Sequence, residues 1–297
     1  MQPFGSLRLR ARTLVTPLLF VALASTPAAA GQVPTDAKRV VSIGGTVTEI
    51  IYALGEEDRI IAVDSTSTYP AAAAEKPDVG YIRQLSAEGV LSQKPDLIVA
   101  EEGAGPADAV AILKASGIPF VTIPTPPEPE AIAGKIRAVG AAVGKADDAE
   151  RLAGEVDAGL KALEARIAGL SVPKKRVLFA LSLSNGRVMA AGTHTSADAI
   201  IRLAGGINAA GSVSGYKPLS DEAVIAAAPE VVLVMDNPAL HLTAEAAFAL
   251  PALQSSPAGK AKAFVAMDGL YLLGLGPRTP AAALDLAARL YPDVIKP

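Results

Sequence analysis

The sequence predicts an α/β protein of two similar lobes, each around a mostly parallel central sheet, joined by one long spanning helix. Three observations predict it. Strand and helix texts alternate along the chain, one helix–strand unit occurs twice, and a continuous amphipathic stretch separates the two copies. The chain has 297 residues, room for two ordinary domains. Its 51% hydrophobic and 19% charged composition suits a well-cored globular protein and excludes wholesale disorder. Aromatic residues make up only 4%, so each Tyr and Phe is read individually.

Residues 1–30 are expected to be a leader rather than part of the fold. Arg8, Arg10 and Arg12 form a positive segment, Leu14 to Ala24 is a short apolar run, and Thr26 to Ala30 ends in an A-x-A cleavage pattern. That is a secretory signal, too short to span a bilayer. It has no adjacent Arg pair, which favours the general secretory route over the twin-arginine one. The chain has no cysteine, hence no disulfide and no thiol to acylate, and a soluble protein of a Gram-negative periplasm fits. Removing residues 1–30 takes away three arginines and no acid, so the net charge moves from −3 to −6. An acidic protein is ill suited to nucleic acid or an anionic membrane.

Arg39 to Ile43 reads as a strand ending at Gly44-Gly45, after which Thr46 is expected to cap a helix that stops at Gly55. Ile60 to Val63, Leu97 to Ala100 and Phe120 to Ile123 are further strands, and a Pro-rich stretch from Pro124 to Pro129 closes the first half. Leu152, Val156, Leu160, Leu163 and Ile167 then recur at helical spacing among charged residues. A helix from Ala146 to Ile167 would be roughly 30–35 Å long, enough to bridge two domains; periodicity alone equally allows a surface helix of one lobe. Val177 to Leu181, Val188 to Ala190 and Val231 to Val234 begin a second strand series. The expected division is a leader at 1–30, a first lobe at 31–145, the joining helix at 146–170 and a second lobe at 171–297.

The repeat aligns without a gap. Ser86-Ala-Glu88-Gly-Val90, followed by Pro95-Asp96 and an apolar strand, matches Ser220-Asp-Glu222-Ala-Val224, followed by Pro229-Glu230 and another. Each copy reads as a capped helix, a proline that ends it and a buried strand. Gly80-Tyr81 and Gly215-Tyr216 precede the two copies, one residue out of step.

These features resemble the helical-backbone class of solute-binding proteins of ABC transporters, which carry cobalamin, ferric siderophores or haem. The class has two Rossmann-like lobes with the ligand cleft between them. Within it, Asp78-Val-Gly80-Tyr81-Ile-Arg83-Gln-Leu-Ser86-Ala-Glu88-Gly is similar to the haem carriers. So are Gly215-Tyr216-Lys217-Pro218-Leu219-Ser220 and the segment from Met267 through Tyr271 to Arg278-Thr279. The resemblance implies a periplasmic carrier of haem b, Fe(III) protoporphyrin IX, with Tyr81 as axial ligand of the iron. A phenolate is a hard anionic donor suited to Fe(III). Free tyrosine titrates near pH 10, so ligation at neutral pH needs the metal and a neighbouring cation, which Arg83 is expected to supply. On the residues alone, Tyr81 reads as a half-buried loop aromatic and Arg83 as a solvated charge; the resemblance is what favours ligation.

Tyr216 is expected to border the porphyrin and Lys217 to meet a propionate, against a plain turn at the cleft rim. Arg278 is a further propionate candidate, against a structural ion pair. The resemblance also implies that Glu88 and Glu222 dock onto the inner-membrane permease dimer, which works with an ATPase; an outer-membrane haem receptor is at most an indirect partner, and a monomer is expected. Read alone, both glutamates stabilise helix N-termini. His194 and His241 are too few for a zinc or manganese carrier. No histidine stands in Leu181 to Ser184, where some haem carriers place a ligand for a second haem, so one haem is expected.

The alternatives are the same fold carrying a ferric siderophore or cobalamin, and an exported α/β enzyme. The absence of Trp and the few aromatics weigh against the first pair. Against the enzyme, the chain has no cysteine nucleophile, no G-x-S-x-G elbow, no P-loop and no G-x-G-x-x-G after a strand.

Overall fold

Short apolar runs flanked by glycine or proline become two sheets, shown by a computed structural model that describes residues 36–184, 186–236 and 242–296. The expected leader, Asn185 and His241 lie outside the described residues. The first sheet holds β1 (Val40–Ile43), β2 (Ile60–Val63), β3 (Leu97–Glu101) and β4 (Phe120–Ile123) in the order β2-β1-β3-β4. All its pairs are parallel. Every residue of β1 is buried, which is why it reads as an unbroken apolar run rather than an alternating one.

The second sheet holds β5 (Arg176–Ser184), β6 (Arg187–Ala191), β7 (Ile207–Asn208), β8 (Tyr216–Leu219), β9 (Val231–Asp236) and β10 (Phe264–Asp268). Its order is β10-β9-β5-β6-β8, with β7 also paired to β5. β10, β9, β5 and β7 pair in parallel, whereas β6 runs antiparallel to both β5 and β8. The second sheet is therefore mixed. Only Asn185 and Gly186 separate β5 from β6, and so short a link joins antiparallel strands.

The two copies of the repeat fold alike. Ser86 Oγ accepts the Gly89 N–H at 3.2 Å to cap helix Ala87–Ser92, and Ser220 Oγ accepts the Ala223 N–H at 3.2 Å to cap helix Asp221–Ala227. Lys94 and Ala228, each just before the repeat proline, both adopt positive φ, at 52° and 42°. The acid after the proline then fastens the start of a neighbouring strand. Asp96 accepts the N–H groups of Lys38 and Arg39, both at 2.9 Å, and Glu230 accepts the Arg176 N–H at 2.9 Å. Arg39 and Arg176 in turn donate to the ends of the repeat helices, to Gln93 and Lys94 carbonyls in one case and Ala227 in the other.

Helix Ala146–Ala168 passes between the cores. Ala149, Ala153 and Val156 pack with Ile136 and Val139 in the core of the first sheet, and Leu163 packs with Val177 and Leu286 in a core of the second. The described residues fall in one compact unit. Among the described residues no helix is long and apolar enough to cross a membrane.

One expected cap differs. Helix Gly45–Ala53 starts from Gly44 at φ 108°, with no side-chain cap. A Cβ on Gly44 would lie 2.4 Å from Glu101 Cγ, so the turn admits only glycine. Glu101 fills the capping place by accepting the Thr46 N–H at 3.0 Å, and the Thr46 hydroxyl donates to the Gly274 carbonyl at 2.9 Å.

Candidate functional site

Parallel α/β sheets collect ligands beyond the carboxyl ends of their strands. Beyond β2 runs the segment that carries Tyr69, Tyr81 and Arg83. It is tightly held: Val79 N–H donates to the Val63 carbonyl and Val63 N–H to the Pro77 carbonyl, both at 2.9 Å, Ser65 N–H donates to the Gly80 carbonyl at 3.0 Å, and Gly80 N–H donates to Asp78 Oδ1 at 2.7 Å. Gly80 at φ 96° sets the turn that turns Tyr81 outward, where 44% of its surface is exposed. Arg83 is exposed, and the Tyr81 hydroxyl and Arg83 guanidinium form no hydrogen bond among the described residues.

Tyr216 opens the edge strand β8, opposite Ala191 of β6. Two fifths of its surface is exposed, at 40%, yet the surrounding protein still desolvates the hydroxyl and pushes the phenol up from its ordinary range. The positive charge of Arg83 works in the opposite direction. With its phenol raised, Tyr216 is a neutral hydrogen-bonding group at pH 7. Lys217, the next residue, is exposed opposite Ala190. His194 lies beside this strand: Thr193 bridges Ser214, and Ser214 Oγ is 3.3 Å from His194 Nδ1. His194 is exposed, with φ 58°.

Residues 40–271 match the periplasmic binding protein family. The chain belongs to that family. Among solved structures it is similar to the periplasmic heme-binding protein RhuT of Roseiflexus sp. RS-1 in apo form, with 39% identity and a TM-score of 0.82 over 88% of this chain and 100% of that one. It is similar also to the periplasmic heme-binding protein BhuT in complex with two hemes, with 40% identity and a TM-score of 0.81 over 87% and 99% of the two chains. The vitamin B12-binding protein of Yersinia pseudotuberculosis is 30% identical over 79% of each chain. The family and these neighbours are solute-binding proteins rather than enzymes, which removes the exported enzyme from the alternatives.

Within this family fold, Arg278 is tied into the protein. Its Nε and Nη2 donate to Glu49 Oε1 and Oε2 at 3.0 and 2.8 Å, a bidentate pair between a carboxylate 5% exposed and a guanidinium one quarter exposed. The guanidinium carbon lies 3.5 Å from the ring centroid of Tyr69 and 5.0 Å from that of Tyr271. Tyr271 donates its hydroxyl proton to Asp285 Oδ2 at 2.9 Å; burial and this hydrogen bond push its phenol up to about 12.

Behind the pair lies Lys135, 4% exposed, whose Nζ donates to the Gly274 and Leu275 carbonyls, both at 3.1 Å. Burial lowers its pKa while Glu101 and Glu49 pull it back. Glu101 is shifted upward by burial, with Lys135 opposing.

Tyr69, Glu49, Glu101 and Lys135 were not singled out from the sequence. Scarce aromatics were the one signal for Tyr69. Glu88 and Glu222 occupy the first turns of the matching repeat helices, both exposed. The N–H of Glu222 and the Ser220 hydroxyl donate to the Glu222 carboxylate and lower its pKa.

Proposed function

We propose that this protein is a periplasmic carrier that binds ferric haem b between its two lobes and delivers it to an inner-membrane ABC permease dimer with its ATPase. The observation that supports it most is an outward Tyr81 on a braced loop, followed by an Arg83 whose charge reaches Tyr216 of the other sheet, in a chain 39–40% identical to two heme-binding proteins. In this reading Tyr81 phenolate ligates the iron, and Arg83 stabilises the negative charge that ligation requires. Tyr216 borders the macrocycle and Lys217 meets a propionate. Glu49 engages Arg278 through Nε and one N–H of Nη2, which leaves the two N–H groups of Nη1 and one of Nη2 for a propionate. Residues 1–30 direct export, residues 31–145 and 171–297 form the lobes, and 146–170 the helix that joins them. One haem is bound per chain.

The test is a hemin titration of the mature protein, read at the Soret band. Tyr81→Ala should weaken binding by more than the roughly 10- to 100-fold that losing an outer-shell partner costs a metal site. Arg83→Ala should fall within that range and shift the phenolate-to-iron charge-transfer band. Unchanged affinity and spectrum in Tyr81→Ala would remove Tyr81 from the site.

A second reading is favoured by the vitamin B12-binding relative: the same cleft carrying cobalamin. Cyanocobalamin that competes with hemin, or binds where hemin does not, would establish it.

A further inference from the structure

We infer that Tyr69 is a wall of the cleft that stacks on the flat face of the tetrapyrrole, and that Arg278 is the positioning residue that fixes it. This rests on the haem reading above. Among the described residues the exposed tyrosines are Tyr69, Tyr81 and Tyr216, at 42%, 44% and 40%. A chain with 4% aromatic residues and no tryptophan thus keeps three tyrosines open to solvent. Two of them already belong to the proposed site. Tyr69 leaves the same segment as Tyr81, since the Ser65 N–H to Gly80 carbonyl bond ties the two arms of that segment together.

The ring of Tyr69 is fixed before any ligand arrives. Arg278 covers it at 3.5 Å, Glu49 clamps Arg278 through two hydrogen bonds, and Tyr271 lies on the guanidinium at 5.0 Å. Glu49 and Tyr69 come from the first sheet's side, Arg278 and Tyr271 from the segment that follows β10. The stack therefore joins the loops beyond the carboxyl ends of both sheets. A tyrosine pinned in this way gives up little freedom when a planar ligand packs on it. An apolar macrocycle supplies the offset aromatic partner that the open part of the ring lacks.

A wall acts on the macrocycle and not on the iron, and this separates it from Tyr81. The experiment titrates hemin and metal-free protoporphyrin IX into the wild-type mature protein and into the variants Tyr69→Leu, Tyr69→Phe and Arg278→Lys, with circular dichroism to verify folding. Tyr69→Leu should weaken both ligands by the same factor, roughly three- to tenfold, with the Soret maximum of the hemin complex unmoved. Tyr69→Phe should bind as wild type does. Arg278→Lys should give a similar loss and add nothing in the Tyr69→Leu background. Wild-type binding of both ligands that Tyr69→Leu leaves unchanged would overturn the wall while leaving the haem reading intact. A wild type that takes up neither ligand would overturn both.

Discussion

Exchanging Arg278 and Glu49 for methionine, singly and together, measures how firmly the stack is held. Arg278→Met leaves the Glu49 carboxylate, 5% exposed, without its bidentate partner. Removing one member of a buried pair costs about 3–5 kcal/mol. Because a quarter of the Arg278 side chain meets water, the lower end applies, about 3 kcal/mol. Glu49→Met strands a cation that still rests on Tyr69 and reaches solvent, so about 2 kcal/mol is expected. The double variant replaces two charges with two apolar chains. It should lose about 2 kcal/mol, not about 5, a coupling near 3 kcal/mol. In thermal unfolding at about 2–4 °C per kcal/mol, Arg278→Met should lower Tm by roughly 6–12 °C. Urea unfolding followed by far-ultraviolet circular dichroism at pH 7 gives the cycle directly. Single-variant losses that add to the double within about 0.5 kcal/mol would refute the coupling and the rigid backing of Tyr69 with it.

Three other outcomes are expected. Tyr271 has a phenol pushed up to about 12, so its contribution to stability is complete below pH 10 and is lost as pH rises from 10 toward 12. Tyr271→Phe should cost about 1 kcal/mol at pH 7 and flatten the fall of the urea midpoint between pH 9 and 11.5. Reduction of bound haem to Fe(II) should weaken binding sharply, since a phenolate is less suited to the softer ion; dithionite titration with full haem retention would count against tyrosine ligation. Glu88→Ala with Glu222→Ala should leave hemin affinity intact and abolish transport in reconstituted vesicles, with docking also weakened by salt, because exposed rim charges govern encounter and orientation. Normal transport by that double variant would leave both glutamates as helix-terminus residues only.

What the sequence made legible is local. Strands such as β3 and β4, the Ser86 and Ser220 caps and the helix from Ala146 follow from apolar runs, capping chemistry and a 3.6-residue period. The shared role of Asp96 and Glu230 was visible as a matched letter but not as a strand fastener, because its partners lie 54 to 58 residues away. Thr46 carries a cap residue's chemistry, yet Glu101 holds that place and the hydroxyl turns to Gly274, 228 residues on. Lys135 could not be foreseen in the interior, since lysine is rarely buried without partners, and its partners here are two main-chain carbonyls far along the chain. Tyr81, Arg83 and Tyr216 were singled out through the resemblance. Glu49 and Tyr69, 229 and 209 positions before Arg278, had no comparable text to mark them.

Those distant partners also tie the two cores together. Leu275 follows β10 in the chain, yet its side chain, 3% exposed, is buried in the core of the first sheet with Val47, Ile50 and Ile136. It is held there at φ 48°, a conformation that a leucine keeps only where its surroundings enforce it. Lys135 holds its carbonyl and that of Gly274, Thr46 holds Gly274 as well, and a Cβ on Gly276 would lie 2.8 Å from Thr46 Cγ2. Among the described residues, helix Ala146–Ala168 and the segment Gly274–Arg278 each reach from one core to the other. A single connection is a hinge, because one helix can bend while each core stays packed. Two connections remove that freedom, since opening would have to pull a leucine from a close-packed core and strand a buried ammonium. A cleft between the two sheets, as proposed above, would then be shaped before a ligand enters it.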